Sequence, residues 1–151
     1  MRRIFSLLFV AAMFGLVITS CGKDDPDEPV IETQQLESEH GVTNDTYLVW
    51  DINTEKDSSS IYVYNVQFDP RAPLMTIRVE APVTVDKSGK IFTFAGTGLH
   101  PYLFYGDRFV QFMDEAYQVT DLISTVNTGE KTYSISFDCH GGHYEKSGKL
   151  K

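Results

Sequence analysis

The sequence predicts an all-β domain, a small antiparallel up-and-down barrel of about eight strands, with a β-sandwich as the alternative. Three observations predict it. Apolar residues alternate with polar ones at a period of two through most of the chain after residue 45. Clusters of turn-forming residues, "EKDSSS", "DPRAP", "DKSGK", "NTGEK" and "GG", separate the alternating runs. The stretch from 46 to 151 has the length of one domain and can bury a workable core.

The chain opens with Arg2 and Arg3, an apolar run from Ile4 to Ile18, and small residues before Cys21. A basic start, an apolar centre and a small-residue cleavage site form a secretory signal peptide over residues 1–20. The run is shorter than the roughly 20 residues a spanning helix needs. Ile18-Thr19-Ser20-Cys21 resembles a bacterial lipobox. That resemblance implies cleavage before Cys21 and acylation of its thiol and new amine, so that the lipid bilayer becomes the first partner. Several acyl chains together hold a protein on a membrane where one does not. Lys23, Asp24 and Asp25 follow at once and resemble the surface-export signal of Bacteroidetes lipoproteins. This implies an outer-membrane lipoprotein exposed at the cell surface; the alternative is a periplasm-facing one.

Residues 21–45 read as the lipidated cysteine and a disordered acidic tether. From Gly22 to Asp45 acidic residues dominate and apolar ones are few, so little surface is available to offset the entropy of ordering. Loss of Arg2 and Arg3 with the leader takes the formal net charge from −8 to −10. Clusters of Lys and Arg that would neutralise phosphates are missing, which excludes a nucleic-acid partner. The cysteines are Cys21 and Cys139; with Cys21 acylated, Cys139 has no disulfide partner within the chain.

Strands are expected near 46–53, 60–68, 74–85, 90–96, 102–105, 116–125, 131–140 and 143–150. In the second, Tyr62, Tyr64, Val66 and Phe68 are expected on one face, with Ile61, Val63, Asn65 and Gln67 on the other. In the third, Met75, Ile77, Val79, Ala81, Val83 and Val85 share a face. In the seventh, Tyr133, Ile135, Phe137 and Cys139 do. "DRFVQFMDEAY" fits either a short helix or another strand. If the barrel closes, "TYLVWDI" lies beside "YEKSGKL"; in an open sandwich both are edges.

The order "IYVYNVQFDPRAPLMTIRVEAP", "YQVTDLISTV", "YSISFDCHGGHYEKSGKL" resembles the calycin-like small lipoproteins of gut Bacteroidetes. The resemblance implies a lipocalin-like barrel over about 46–151 and carries no assigned activity. The Gly-x-Trp signature of lipocalins is missing, because no glycine stands two residues before Trp50.

"FDCHGGHY" is the stretch with most reactive groups. With Gly141-Gly142 as a two-residue turn, His140 faces His143, Cys139 faces Tyr144, and Asp138 faces Glu145. Cys139 then points inward with Phe137 as packing, and both histidines point outward. A nucleophile and its base need hydrogen-bond reach, which opposite faces deny to Cys139. His140 and His143 are the candidate metal ligands, but two imidazoles fall short of the three or four protein ligands of a zinc site. His100, before Pro101, reads as a loop residue. No phosphate loop, G-x-S-x-G or H-E-x-x-H occurs. No catalytic residue and no cofactor are expected.

Aromatic residues crowd the middle of the chain. Most are expected to fill the core. Trp50, Tyr102, Phe104 and Tyr105 are the candidate ligand-binding residues, and "PYLFYGDRF" the candidate barrel mouth or contact surface. The resulting expectation is a membrane-anchored, non-enzymatic binding or interaction module for a small apolar ligand, a glycan or a protein. The alternative is a structural envelope subunit with a solid core; a metal-dependent hydrolase ranks below both.

Overall fold

In a computed structural model, residues 32–33, 37–38 and 46–150 are described. They form β1 (Glu32–Thr33), β2 (Glu37–Ser38), β3 (Tyr47–Asp51), β4 (Ser59–Val66), β5 (Met75–Ala81), β6 (Val83–Val85), β7 (Ile91–Gly96), β8 (Tyr102–Tyr105), β9 (Arg108–Gln111), β10 (Thr120–Asn127), β11 (Thr132–Cys139) and β12 (Gly142–Lys149). Among the described residues the one helical element is a 3-10 turn at Glu115–Tyr117. The chain is therefore all-β, in two antiparallel sheets. The first sheet runs β1-β3-β4-β5-β8-β9 and the second β2-β12-β11-β10-β7-β6. "DRFVQFMDEAY" turns out to be both of its alternatives, strand β9 and then the 3-10 turn.

The chain passes between the sheets at β5–β6, β7–β8 and β9–β10, and at β1, β2 and β3. β5 lies in the first sheet and β6 in the second, with Pro82 between them. Proline has no N–H to give a ladder, so the ladder breaks there and the strand changes partners. On the other side, β1 pairs with β3 while β2 pairs with β12. β3 and β12 do not pair with each other, so the direct closure expected from the sequence is corrected: each has a dipeptide from upstream on its free edge. Those dipeptides lie inside the stretch read as a tether. Ladder bonds use the backbone, so polar residues can take an edge that apolar packing would not give them.

The core lies between the sheets. Leu48, Trp50, Ile61, Val63, Val66, Phe68, Ile77 and Val79 face Phe92, Phe94, Leu122, Val126, Ile135, Phe137 and Tyr144, all buried. Its large rings touch: Trp50 and Tyr133 are 5.1 Å apart, Phe137 and Tyr144 5.0 Å, and Phe68 and Tyr144 5.8 Å. A polar seam crosses it. The Trp50 indole N–H donates to Ser124 Oγ (2.9 Å), which donates to the Ser134 carbonyl (2.9 Å). A buried N–H needs such a partner, and this one ties β3 of one sheet to β10 and β11 of the other.

Two bulges set which side chains reach the core. On β4 the pairing runs Val63↔Ile77 and then Val66↔Met75, so two residues oppose one. Asn65 takes a left-handed φ of 59°, a conformation Asn adopts more readily than most residues. The extra residue reverses the alternation. Ile61 and Val63 face inward before it, Val66 and Phe68 after it. The sequence expectation that Tyr62 and Tyr64 share a face with Val66 and Phe68 is therefore corrected. On β10, Asp121 (φ 51°) makes a second bulge between Thr120↔Asp138 and Ile123↔Ser136. It sends Leu122 inward and leaves Ile123 59% exposed.

The β6–β7 hairpin is held by one carboxylate. Asp86 accepts from the Ser88 hydroxyl (2.7 Å) and the backbone N–H groups of Ile91 (2.9 Å), Lys90 (3.1 Å) and Ser88 (3.2 Å). The Ser88 hydroxyl and the Ile91 N–H hold its pKa down at about 2.

Replacing Asn65 with Val puts a β-branched residue at positive φ, and urea unfolding should show a loss of about 1–2 kcal/mol. Asn65→Gly should keep most of the stability, and equal losses for both would remove the backbone explanation. The Asp86 contribution is complete above its unfolded pKa of about 4. It is lost as the pH falls toward about 2. Asp86→Asn should therefore flatten the fall in unfolding midpoint over that window, and an unchanged slope would contradict the assigned bonds.

Candidate binding surface

Because of the bulge at Asn65, Tyr62 and Tyr64 stand on the outer face of the first sheet. Register carries that face across the neighbouring strands. Tyr62 is opposite Arg78, Arg78 opposite Tyr102, Tyr102 opposite Gln111, and Phe104 opposite Phe109. Directly paired residues share a face, so these side chains form one surface.

The rings are in contact. Tyr62 and Tyr64 lie 6.2 Å apart and nearly parallel (20°); Tyr62 meets Phe109 edge-on at 5.6 Å; Phe104 and Phe109 are 5.2 Å apart. The Arg78 guanidinium sits 4.3 Å over the Tyr102 ring and 5.1 Å from that of Phe109, close enough for cation–π attraction. Its Nη2 donates to Glu80 Oε1 at 3.0 Å, while its Nε is shielded from solvent and has no hydrogen-bond partner. Burial, and secondarily the neighbouring Tyr62 phenol, raise the pKa of Tyr64. Phe104 is 49% exposed at the rim.

Of the four aromatic residues expected at a ligand site, Tyr102 and Phe104 belong to this surface. Tyr105, 80% exposed, pairs with Arg108 beside Gly106 at the hairpin end. Strand alternation aims it away from Tyr102 and Phe104. Trp50 is separated from all three: it is 1% exposed, with its N–H on Ser124, and so is a core residue. The surface also contains Tyr62, Tyr64 and Arg78, which the sequence reading did not select, and Phe109, which lies in the stretch "PYLFYGDRF" that it did select. The signal for the tyrosines was Asn65, a residue type that tolerates positive φ, inside an otherwise regular alternation.

The histidine hairpin is rearranged relative to expectation. Its turn is His140-Gly141, not Gly141-Gly142. Both have positive φ, 51° and 77°, as a type I′ turn requires. The pairs are Cys139↔Gly142, Asp138↔His143, Phe137↔Tyr144 and Ser136↔Glu145. His140 and His143 therefore do not face each other. The His140 ring stacks on Tyr117 at 4.2 Å and 8°. His143 Nδ1 donates to Asp138 Oδ1 at 2.5 Å, with Glu145 3.8 Å from Nε2. A shallow open depression of about 400 Å3 beside them is lined by Asp138, Gly141, Gly142 and His143. Among the described residues no group of three His, Cys, Asp or Glu is placed to hold a metal ion.

Moving the turn by one residue shifts each cross-strand partner by two, which preserves every face. Cys139 thus does point inward, as expected. It is buried, and its thiol donates to the Tyr117 carbonyl at 3.3 Å. Burial pushes its pKa up to about 12, so the nucleophilic thiolate is not available near neutral pH. His100 is a loop tie: Nδ1 is 3.2 Å from the Phe112 carbonyl, and Nε2 is 3.1 Å from Gln118 Nε2. The carbonyl can only accept, so the proton is on Nδ1, and Nε2 accepts from the Gln118 amide.

Cys21, Lys23, Asp24 and Asp25 lie outside the described residues. Comparison of the chain with family models, characterised proteins and solved structures finds no match.

Proposed function

We propose that the chain is a lipid-anchored, non-enzymatic binding module that takes its partner on the outer face of the first sheet. The observation that carries this reading is the contiguous ring surface of Tyr62, Tyr64, Tyr102, Phe104 and Phe109 around Arg78. Five aromatic residues placed on the solvent side, with aromatic rings already filling the interior, are more than the core needs. Tyr and Arg are also the residue types most enriched where binding energy concentrates. Acylated Cys21 anchors the protein in the outer membrane, and Lys23, Asp24 and Asp25 direct it to the cell surface. The basic and apolar leader before Cys21 supports that placement.

The same reading takes the two sheets as halves of a calycin-like up-and-down barrel. Its support is that the chain passes between them on both open sides, through β5–β6 and through β1 and β2. The packed rings inside support taking the outer face, not an internal pocket, as the place for a partner. They also favour a second reading, a structural envelope subunit whose interior serves packing alone.

Side-chain labelling of intact cells against the purified protein tests the binding reading. Hydroxyl-radical modification should mark Tyr62, Tyr102 and Phe104 strongly in the purified chain and weakly on cells, with Ile123 on the opposite sheet marked equally in both. Equal labelling of the ring surface in the two settings would favour the structural reading.

A further inference from the structure

The ring surface has a charge property that narrows its ligand. Arg78 and Glu80 pair at 3.0 Å among the rings, and Asp51, opposite Ser60 as Glu80 is, adds a carboxylate to the same face. The surface therefore offers no unopposed cation, on a chain whose formal charge is −8. A polyanion would be repelled by that excess and would meet no unopposed cation on the rings. A polycation would gain little here compared with the acidic remainder of the chain.

The polar groups present are of a different kind. Tyr62, Tyr64 and Tyr102 each join an apolar ring to a hydroxyl tip that both donates and accepts. The Arg78–Glu80 pair sets a fork of donors beside two acceptor oxygens, and Gln111, directly opposite Tyr102, adds an amide with both functions. Uncharged sugars present this combination in reverse. Their C–H faces stack on aromatic rings, and their neighbouring hydroxyls pair with planar groups that donate and accept side by side. The rings touch one another at 5.2, 5.6 and 6.2 Å and so form one continuous apolar strip, and the outer face of a sheet leaves a chain free to extend past both ends.

We propose that this face binds an uncharged saccharide chain, with Tyr62, Tyr64, Phe104 and Phe109 stacking on the sugar rings and Arg78, Glu80 and Gln111 bonding their hydroxyls. The inference rests on the reading of the ring surface as the binding face and goes beyond it in naming the ligand.

The test uses the full lipidated chain in detergent, run by affinity electrophoresis through gels containing mannan, xylan, a β-glucan or dextran, with polygalacturonate as the charged comparison. Retardation by at least one neutral polysaccharide is expected, with a loss of about tenfold in affinity for Tyr62→Ala and for Phe109→Ala. Ile123→Ala on the other sheet should bind as the parent does. Unchanged unfolding midpoints keep the variants interpretable. Should a variant unfold, Gln111→Ala at the exposed rim serves in its place, with a smaller loss expected. Retardation by polygalacturonate alone, or by none of the gels, overturns the proposal.

A second arm separates this failure from failure of the binding reading. Mild periodate treatment of cells, which cleaves sugar diols, should abolish the protection of Tyr62 and Phe104 from labelling. Protection that survives periodate and is removed by protease leaves the binding face standing with a protein partner and overturns the saccharide. Protection that was never present overturns both.

Discussion

The left-handed backbone of Asn65 decides the two faces of the first sheet. Strict alternation along β4 would place either Ile61 and Val63 or Val66 and Phe68 in the core, but not all four. One extra residue at φ 59° reverses the alternation and buries them all. The same step leaves Tyr62 and Tyr64 outside. Register then fixes what stands beside them, because Arg78 and Tyr102 follow Tyr62 across β5 and β8. Core and ring surface are thus two consequences of one backbone irregularity. Bulges of this kind often accompany sites where a side chain is re-aimed.

The second sheet uses the same device at Asp121, and there it has only a packing consequence: Leu122 goes in and Ile123 comes out. Between the sheets the Trp50–Ser124–Ser134 seam provides orientation that apolar burial lacks. Hydrophobic contact is non-directional, whereas an indole N–H 2.9 Å from one hydroxyl allows one lateral placement of the sheets. Around it the rings of Trp50, Tyr133, Phe68, Phe137 and Tyr144 pack against one another.

Much of the fold was legible in the sequence because period-two alternation and turn chemistry are local signals. The strands expected near 46–53, 60–68, 74–85, 90–96, 102–105, 131–140 and 143–150 correspond to β3, β4, β5 with β6, β7, β8, β11 and β12, and that expected near 116–125 overlaps β10. The inward face of Tyr133, Ile135, Phe137 and Cys139 was legible for the same reason. Less legible were features whose cause is not local. The pairing of β1 and β2 depends on edges that exist only once the sheets form. The burial of Trp50 depends on a serine 74 residues away. The turn at His140-Gly141 was missed because Gly-Gly is the more familiar turn pair, although a histidine tolerates positive φ. The ring surface was half legible. Tyr102 and Phe104 stood out in "PYLFYGDRF", but Tyr62 and Tyr64 were grouped with Val66 and Phe68 because the bulge at Asn65 was not foreseen.

The account places a ring-rich face on the solvent side of the first sheet, and the binding proposals depend on that orientation. Proton NMR of the domain with a soluble gadolinium chelate measures it most directly, since the chelate broadens signals at the surface and spares those inside. Ring signals of Tyr62, Tyr64, Phe104 and Phe109 should broaden strongly, while the methyls of Val66 and the ring of Phe68 stay sharp. Tyrosine rings that broaden together with Val66 and Phe68, or stay sharp together with them, would mean that β4 runs without its bulge, and would contradict the account.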